Sequence, residues 1–144
     1  MKETTKEGRS AIRVYVVEDH MGMRMVLREF IEREAGLAVC GAAETAEEAL
    51  EALARLEADL ALVDVSLPGM SGIDLVEVAL ERWPHLVFLM YSGHGETGYV
   101  KRALAVGARG YVLKGDPYEL PEAIRQVMRG ERYVSAALSG QARA

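Results

Sequence analysis

Short, nearly all-apolar runs alternate along the chain with longer stretches of helical period. The runs span residues 12–17, 37–41, 60–63, 86–91 and 110–113. Such runs fit strands buried on both faces of a parallel sheet. Between them, apolar residues recur at i, i+3 and i+4. The first stripe is Met23, Val26, Leu27, Phe30 and Ile31, and the second is Ala49, Leu50, Leu53 and Leu56. The third is Leu75, Val76, Ala79 and Leu80, the fourth Val100, Ala103 and Leu104, and the fifth Leu120, Ile124, Val127 and Met128. End signals agree with these helices. Thr45 and Glu48 have capping-box spacing, Ser71 can cap the third helix, and Pro84 lies past its end. Gly107 and Gly130 stop the fourth and fifth. Asp116-Pro117 has the form of a cap and first helical residue, but Pro121 would break a backbone bond one turn in. The fifth helix therefore starts at Leu120 or kinks there. Five strands alternating with five helices predict an α/β fold, a parallel doubly wound sheet with helices on both faces.

A length of 144 residues suits one domain, which we place at 11–130. Residues 1–10 read as a loose N-terminal extension and 131–144 as a C-terminal tail or linker. Half the residues are apolar and 27% are charged, which excludes a mainly disordered chain. A net charge of −5 argues against a dedicated nucleic-acid surface. No apolar stretch is long enough to cross a bilayer, and the polar start is unlike a signal peptide. With Cys40 the one cysteine, no internal disulfide forms, and the cytoplasm is the default compartment.

In open α/β sheets, function gathers beyond the carboxyl ends of the strands. Glu18 and Asp19 follow the first run, Asp64 the third, Ser92 the fourth and Lys114 the fifth. Singly, each has a plain structural explanation: a turn, a cap or a solvated lysine. Together, they bring three carboxylates, a hydroxyl and an ammonium to one edge. Three packed carboxylates repel one another unless a cation settles among them. An all-oxygen set with few carboxylates suits Mg²⁺ better than Ca²⁺. A divalent ion and a lysine beside a nucleophilic carboxylate are equipped for phosphoryl transfer, giving an acyl phosphate on Asp64. Ser92 can donate to a phosphate oxygen.

The stretches Val16-Val17-Glu18-Asp19-His20, residues 59–72 from Asp59 through Asp64 to Gly72, Tyr91-Ser92-Gly93 and residues 107–114 ending in Lys114 resemble the receiver domain of two-component response regulators. They occur in the family's order, and the resemblance covers about 12–130. It implies a five-stranded flavodoxin-like sheet in the order 2-1-3-4-5. It further implies that Asp64 is the phosphorylated aspartate, and that Glu18, Asp19, Asp64 and the Ser66 carbonyl hold Mg²⁺. By the same resemblance Ser92 and Lys114 contact the phosphate, and Tyr111 changes rotamer with Ser92 on activation. The implied partners are a sensor histidine kinase or a small-molecule phosphodonor. A downstream protein or a second copy would meet the face built from the fourth helix, fifth strand and fifth helix.

His20, the 107–111 phrase and Arg132-Tyr133-Val134-Ser135 are similar to NarL/LuxR-class receivers, which usually carry a C-terminal helix-turn-helix domain. The residues after Gly130 leave no room for one, so this is either a stand-alone receiver or a piece of a longer regulator, and no direct nucleic-acid contact is expected from these residues. His94, two residues past Ser92, is expected to affect dephosphorylation.

Other readings fit less well. A haloacid-dehalogenase-type phosphatase needs a second Asp two residues after its nucleophile, where this chain has Ser66. A flavin carrier needs a hydroxyl- and glycine-rich phosphate loop where Glu18-Asp19 stands. A receiver-shaped adaptor that never takes phosphate would not need the complete acid, hydroxyl and lysine set. Met21, Met23 and Met25 read as core filler plus surface, Cys40 as a small buried residue, and Trp83 as the anchor of the third helix's end.

Overall fold

A computed structural model describes residues 11–93, 97–115 and 117–138. The extension at 1–10, His94 and Asp116 lie outside the described residues. The elements in chain order are β1 (Ile12–Val17), α1 (Met21–Glu32), β2 (Leu37–Ala43), α2 (Ala46–Leu53), β3 (Leu60–Val63), α3 (Gly72–Arg82), β4 (Val87–Ser92), α4 (Thr97–Ala105), β5 (Gly110–Leu113), α5 (Leu120–Met128) and β6 (Tyr133–Val134). Short 3-10 turns occupy Pro117–Glu119 and Ala136–Leu138. The sheet order is β2-β1-β3-β4-β5-β6, and every pair is parallel.

The alternation of side chains along each strand builds two cores. Tyr15, Val17, Ala61, Val63, Phe88, Met90 and Tyr111 face α2, α3 and α4. Val14, Val16, Leu60, Leu62, Leu89, Tyr91 and Val112 face α1 and α5. Both faces are thus covered, which is why the strands carry so few polar residues.

Local capping sets the helix starts. Ser71 Oγ accepts the Asp74 N–H at 3.1 Å, and Thr45 Oγ1 accepts the Glu48 N–H at 3.1 Å. Glu48 reaches back to the Glu44 N–H at 3.2 Å, one residue before the capping residue itself. The fifth helix begins at Leu120 after a 3-10 turn, which places Pro121 where no intrahelical N–H is needed. Trp83 caps the end of α3 and packs partly against the core.

The sequence reading needs three corrections. A sixth strand pairs with β5 inside the stretch read as a tail. Gly110 permits it: a Cβ there would lie 2.6 Å from the Tyr133 carbonyl oxygen and 2.7 Å from Leu89. The fourth strand is offset by one, so Ser92 closes β4 rather than following it. Cys40 is only partly buried, whereas the methionines divide as expected, Met23 packing against the core and Met21 and Met25 lying about two-thirds exposed.

Candidate functional site

The order of the sheet reverses between β1 and β3, and their carboxyl ends open a crevice there. Backbone bonds carry the strand ladder one residue past each strand. The Glu18 N–H reaches the Ala43 carbonyl at 3.0 Å, Asp64 reaches Val17 at 3.0 Å, and Lys114 reaches Ser92 at 2.8 Å. The three polar residues are therefore aimed by the sheet itself. Lys114 Nζ donates to Asp64 Oδ2 at 2.8 Å and stands 2.9 Å from Glu18 Oε1. Asp64 Oδ1 accepts the Ser66 N–H at 2.9 Å, and Glu18 Oε2 accepts the His20 N–H at 3.1 Å. One carboxylate oxygen from each of Glu18, Asp19 and Asp64 lies within 4.8 Å of the others. Glu18 and Asp64 are buried, Asp19 is exposed, and Lys114 is partly buried.

Burial pushes the Glu18 carboxyl above its usual value, and the nearby Asp64 charge adds to this; Lys114 and the His20 amide oppose it without cancelling it. Burial pulls Lys114 the other way, but its close contacts with the Asp64 and Glu18 carboxylates and their charges outweigh it, so the ammonium is held above its usual value. Three carboxylates against one ammonium leave the pocket net negative. Glu18 Oε1 is the buried side-chain polar atom without a hydrogen bond among the described residues; the Lys114 contact is an ion pair that is not aligned as one. An oxygen-only cluster with a buried lone pair to spare fits a hard divalent cation.

Because the folded state favours protonated Glu18, its stabilising contribution is fully present below the unfolded value of 4.5 and is lost as pH rises through the folded value. Glu18→Gln is therefore expected to stabilise the metal-free protein at neutral pH, with the gain shrinking as pH falls toward 4.5. Melting curves across that pH range, with chelator present, check this.

Three supports were not legible in sequence. The Arg24 guanidinium donates to the carbonyls of Glu18 at 2.8 Å and Asp19 at 3.0 Å, fixing the acidic loop from the first turn of α1. His20 caps that helix, its Nδ1 accepting the Met23 N–H at 3.2 Å. Gly72, the first residue of α3, packs against the backbone of Asp64, and a Cβ there would overlap the Asp64 carbonyl oxygen. Gly72→Ala is expected to cost roughly 1–3 kcal/mol and to displace Asp64; denaturant unfolding reads the first effect and the Asp64 and Ser66 amide shifts the second.

The structure brings together Glu18, Asp19, Asp64 and Lys114, with Ser66 joined through its backbone amide. Ser92 is fully buried at the end of β4, in register with Leu113. Tyr111 is fully buried within the core on the α2–α4 face. A groove of about 440 Å³, lined by Leu53, Leu56, Trp83 and Met128 among others, lies at the opposite edge of the sheet and holds none of these residues. Among the described residues, no helix is long and apolar enough to cross a membrane.

The sequence pattern of the response regulator receiver domain matches residues 14–125. Response regulator GacA of Pseudomonas viridiflava is 34% identical over 131 residues, covering 90% of this chain and 61% of its own. The uncharacterized transcriptional regulatory protein YvfU of Bacillus subtilis (strain 168) is 32% identical over 129 residues, covering 89% and 64%. The chain thus spans less than two thirds of the length of these curated relatives. Among solved structures, a LuxR-family two-component response regulator from Aurantimonas sp. SI85-9A1 superposes with a TM-score of 0.88 at 30% identity, covering 93% of this chain and 96% of that one. A CheY-like receiver domain protein from Methanospirillum hungatei JF-1 gives 0.77 at 30%, covering 84% and 96%. With this sequence match, fold and acidic crevice in agreement, the chain belongs to the response regulator receiver domain family of two-component systems.

Proposed function

We propose that the chain is a phosphoacceptor: it takes a phosphoryl group from a sensor histidine kinase, or from a small-molecule phosphodonor, onto Asp64. The observation that carries this reading is Lys114 Nζ held 2.8 Å from Asp64 and 2.9 Å from Glu18 at the carboxyl edge of the sheet. In the transfer, an Asp64 carboxylate oxygen forms a bond to phosphorus. The nitrogen–phosphorus bond of the phosphohistidine breaks, and its electron pair returns to the imidazole, which leaves carrying a proton. Lys114 neutralises one phosphoryl oxygen, and the Ser92 hydroxyl donates to another. Glu18, Asp19, Asp64 and the Ser66 carbonyl would hold Mg²⁺, which supplies the remaining positive charge when bound. The product is the modified protein itself, with only slow self-dephosphorylation, so the chain signals rather than turns over substrate.

Tyr111 and Ser92 then bias the face formed by α4, β5 and α5 toward an output partner or a second copy. The kinase, and a cytoplasmic location, follow from the same reading. The test is mass spectrometry after incubation with a small phosphodonor. A gain of one phosphoryl group that requires Mg²⁺ supports it, and no gain with Mg²⁺ present defeats it.

A further inference from the structure

The outer edge of β5 is occupied by the chain's own residues 133–138. Tyr133 donates its N–H to Arg109 at 3.2 Å, and Ser135 donates its own to Tyr111 at 3.0 Å. β6 is only two residues long, so the ladder ends before Leu113. The Ser135 side chain completes it: Ser135 Oγ accepts the Leu113 N–H at 3.0 Å. The same hydroxyl donates to Glu119 Oε1 at 2.9 Å, and the Tyr133 hydroxyl donates to that oxygen at 2.8 Å. Ser135 is 4% exposed, and Leu138 is buried in the same apolar cluster as Tyr111.

Leu113 immediately precedes Lys114, and Glu119 closes the turn that leads into α5. One buried hydroxyl therefore pins both ends of the loop that presents Lys114 to the acids. The geometry points to Ser135 as a positioning residue for Lys114, held in place by Glu119 and Tyr133. Occupancy of the acidic pocket and docking of residues 133–138 on β5 are then coupled in both directions, because a coupling between two sites is reciprocal. This rests on the phosphoacceptor reading, in which Lys114 meets the phosphoryl group.

The test uses the 144-residue chain with beryllofluoride and Mg²⁺ as the acyl-phosphate mimic, read by amide hydrogen exchange and by mimic affinity. In the wild type the mimic is expected to change exchange across 133–138 by at least about fivefold. Ser135→Ala should speed exchange at Leu113 and Lys114, abolish that change and weaken the mimic by a similar factor. Ser135→Thr, which keeps the hydroxyl, should restore all three. Should Ser135→Ala fail to fold, Tyr133→Phe, which removes one hydroxyl from Glu119, should move the same readings the same way by less. A wild type that binds the mimic with 133–138 unchanged, or a Ser135→Ala variant that binds it with wild-type affinity, overturns the coupling alone. A wild type that binds no mimic overturns the phosphoacceptor reading and the coupling with it.

Discussion

Asp64→Asn is expected to abolish phosphoryl uptake, lowering it by at least about a thousandfold, because an amide oxygen is no nucleophile toward phosphorus. The substitution preserves size, and the amide oxygen still accepts the Ser66 N–H that Asp64 Oδ1 accepts at 2.9 Å. It also removes one negative charge from a cluster in which three carboxylates converge within 4.8 Å. The variant loses the Oδ2 that accepts Lys114 but leaves that ammonium paired with Glu18, so it should stay folded and melt near the wild-type temperature while taking up nothing. That pairing separates loss of chemistry from loss of fold. Mass spectrometry and a melting curve on the same preparation are sufficient.

Lys114→Met is expected to have the second-largest effect, and a different signature. The lysine is the ammonium that both buried acids share, with side-chain exposures of 2% for Glu18 and 5% for Asp64. Removing one partner of a buried ion pair leaves the others uncompensated, which costs about 3–5 kcal/mol. In the metal-free protein this should lower the melting temperature by roughly 10–20 °C, at about 4 °C per kcal/mol for a domain of this size. Because a cation that binds only the folded state stabilises it by mass action, millimolar Mg²⁺ should recover much of the loss. It should not recover phosphoryl uptake, which falls by about a hundredfold when one charge-stabilising group is removed. Stability rescued by Mg²⁺ with uptake still impaired is the pattern that marks Lys114 as a contact of the phosphoryl group.

The fold was legible where burial imposes a local pattern. β1, β3 and β5 match their apolar runs, since strands covered on both faces leave little room for polar residues. The caps at Thr45 and Ser71 were legible because capping is a contact over three residues. Glu18, Asp19, Asp64 and Lys114 were legible because each lies within two residues of a strand's carboxyl end, and a parallel sheet brings those ends together. What escaped was held by long-range side-chain contacts with no period. The sixth strand is two residues long and depends on Ser135 and Glu119, 16 positions apart. Arg24 reads as one more charge on a solvated helix until its guanidinium is seen on the Glu18 and Asp19 carbonyls. The stripe through Met23 and Val26 marked the buried face of α1 at Leu27 and Ile31 but left Val26 exposed, with Met21 and Met25 out in solvent.

The most direct measurement is localisation of the phosphoryl group on the wild-type chain. After incubation with a small phosphodonor and Mg²⁺, borohydride reduces an acyl phosphate to an alcohol, and peptide mapping finds the reduced residue. The account predicts reduction at Asp64 alone, absent when Mg²⁺ is chelated. Reduction at Glu18 or Asp19 instead, or none at any carboxylate, would contradict it.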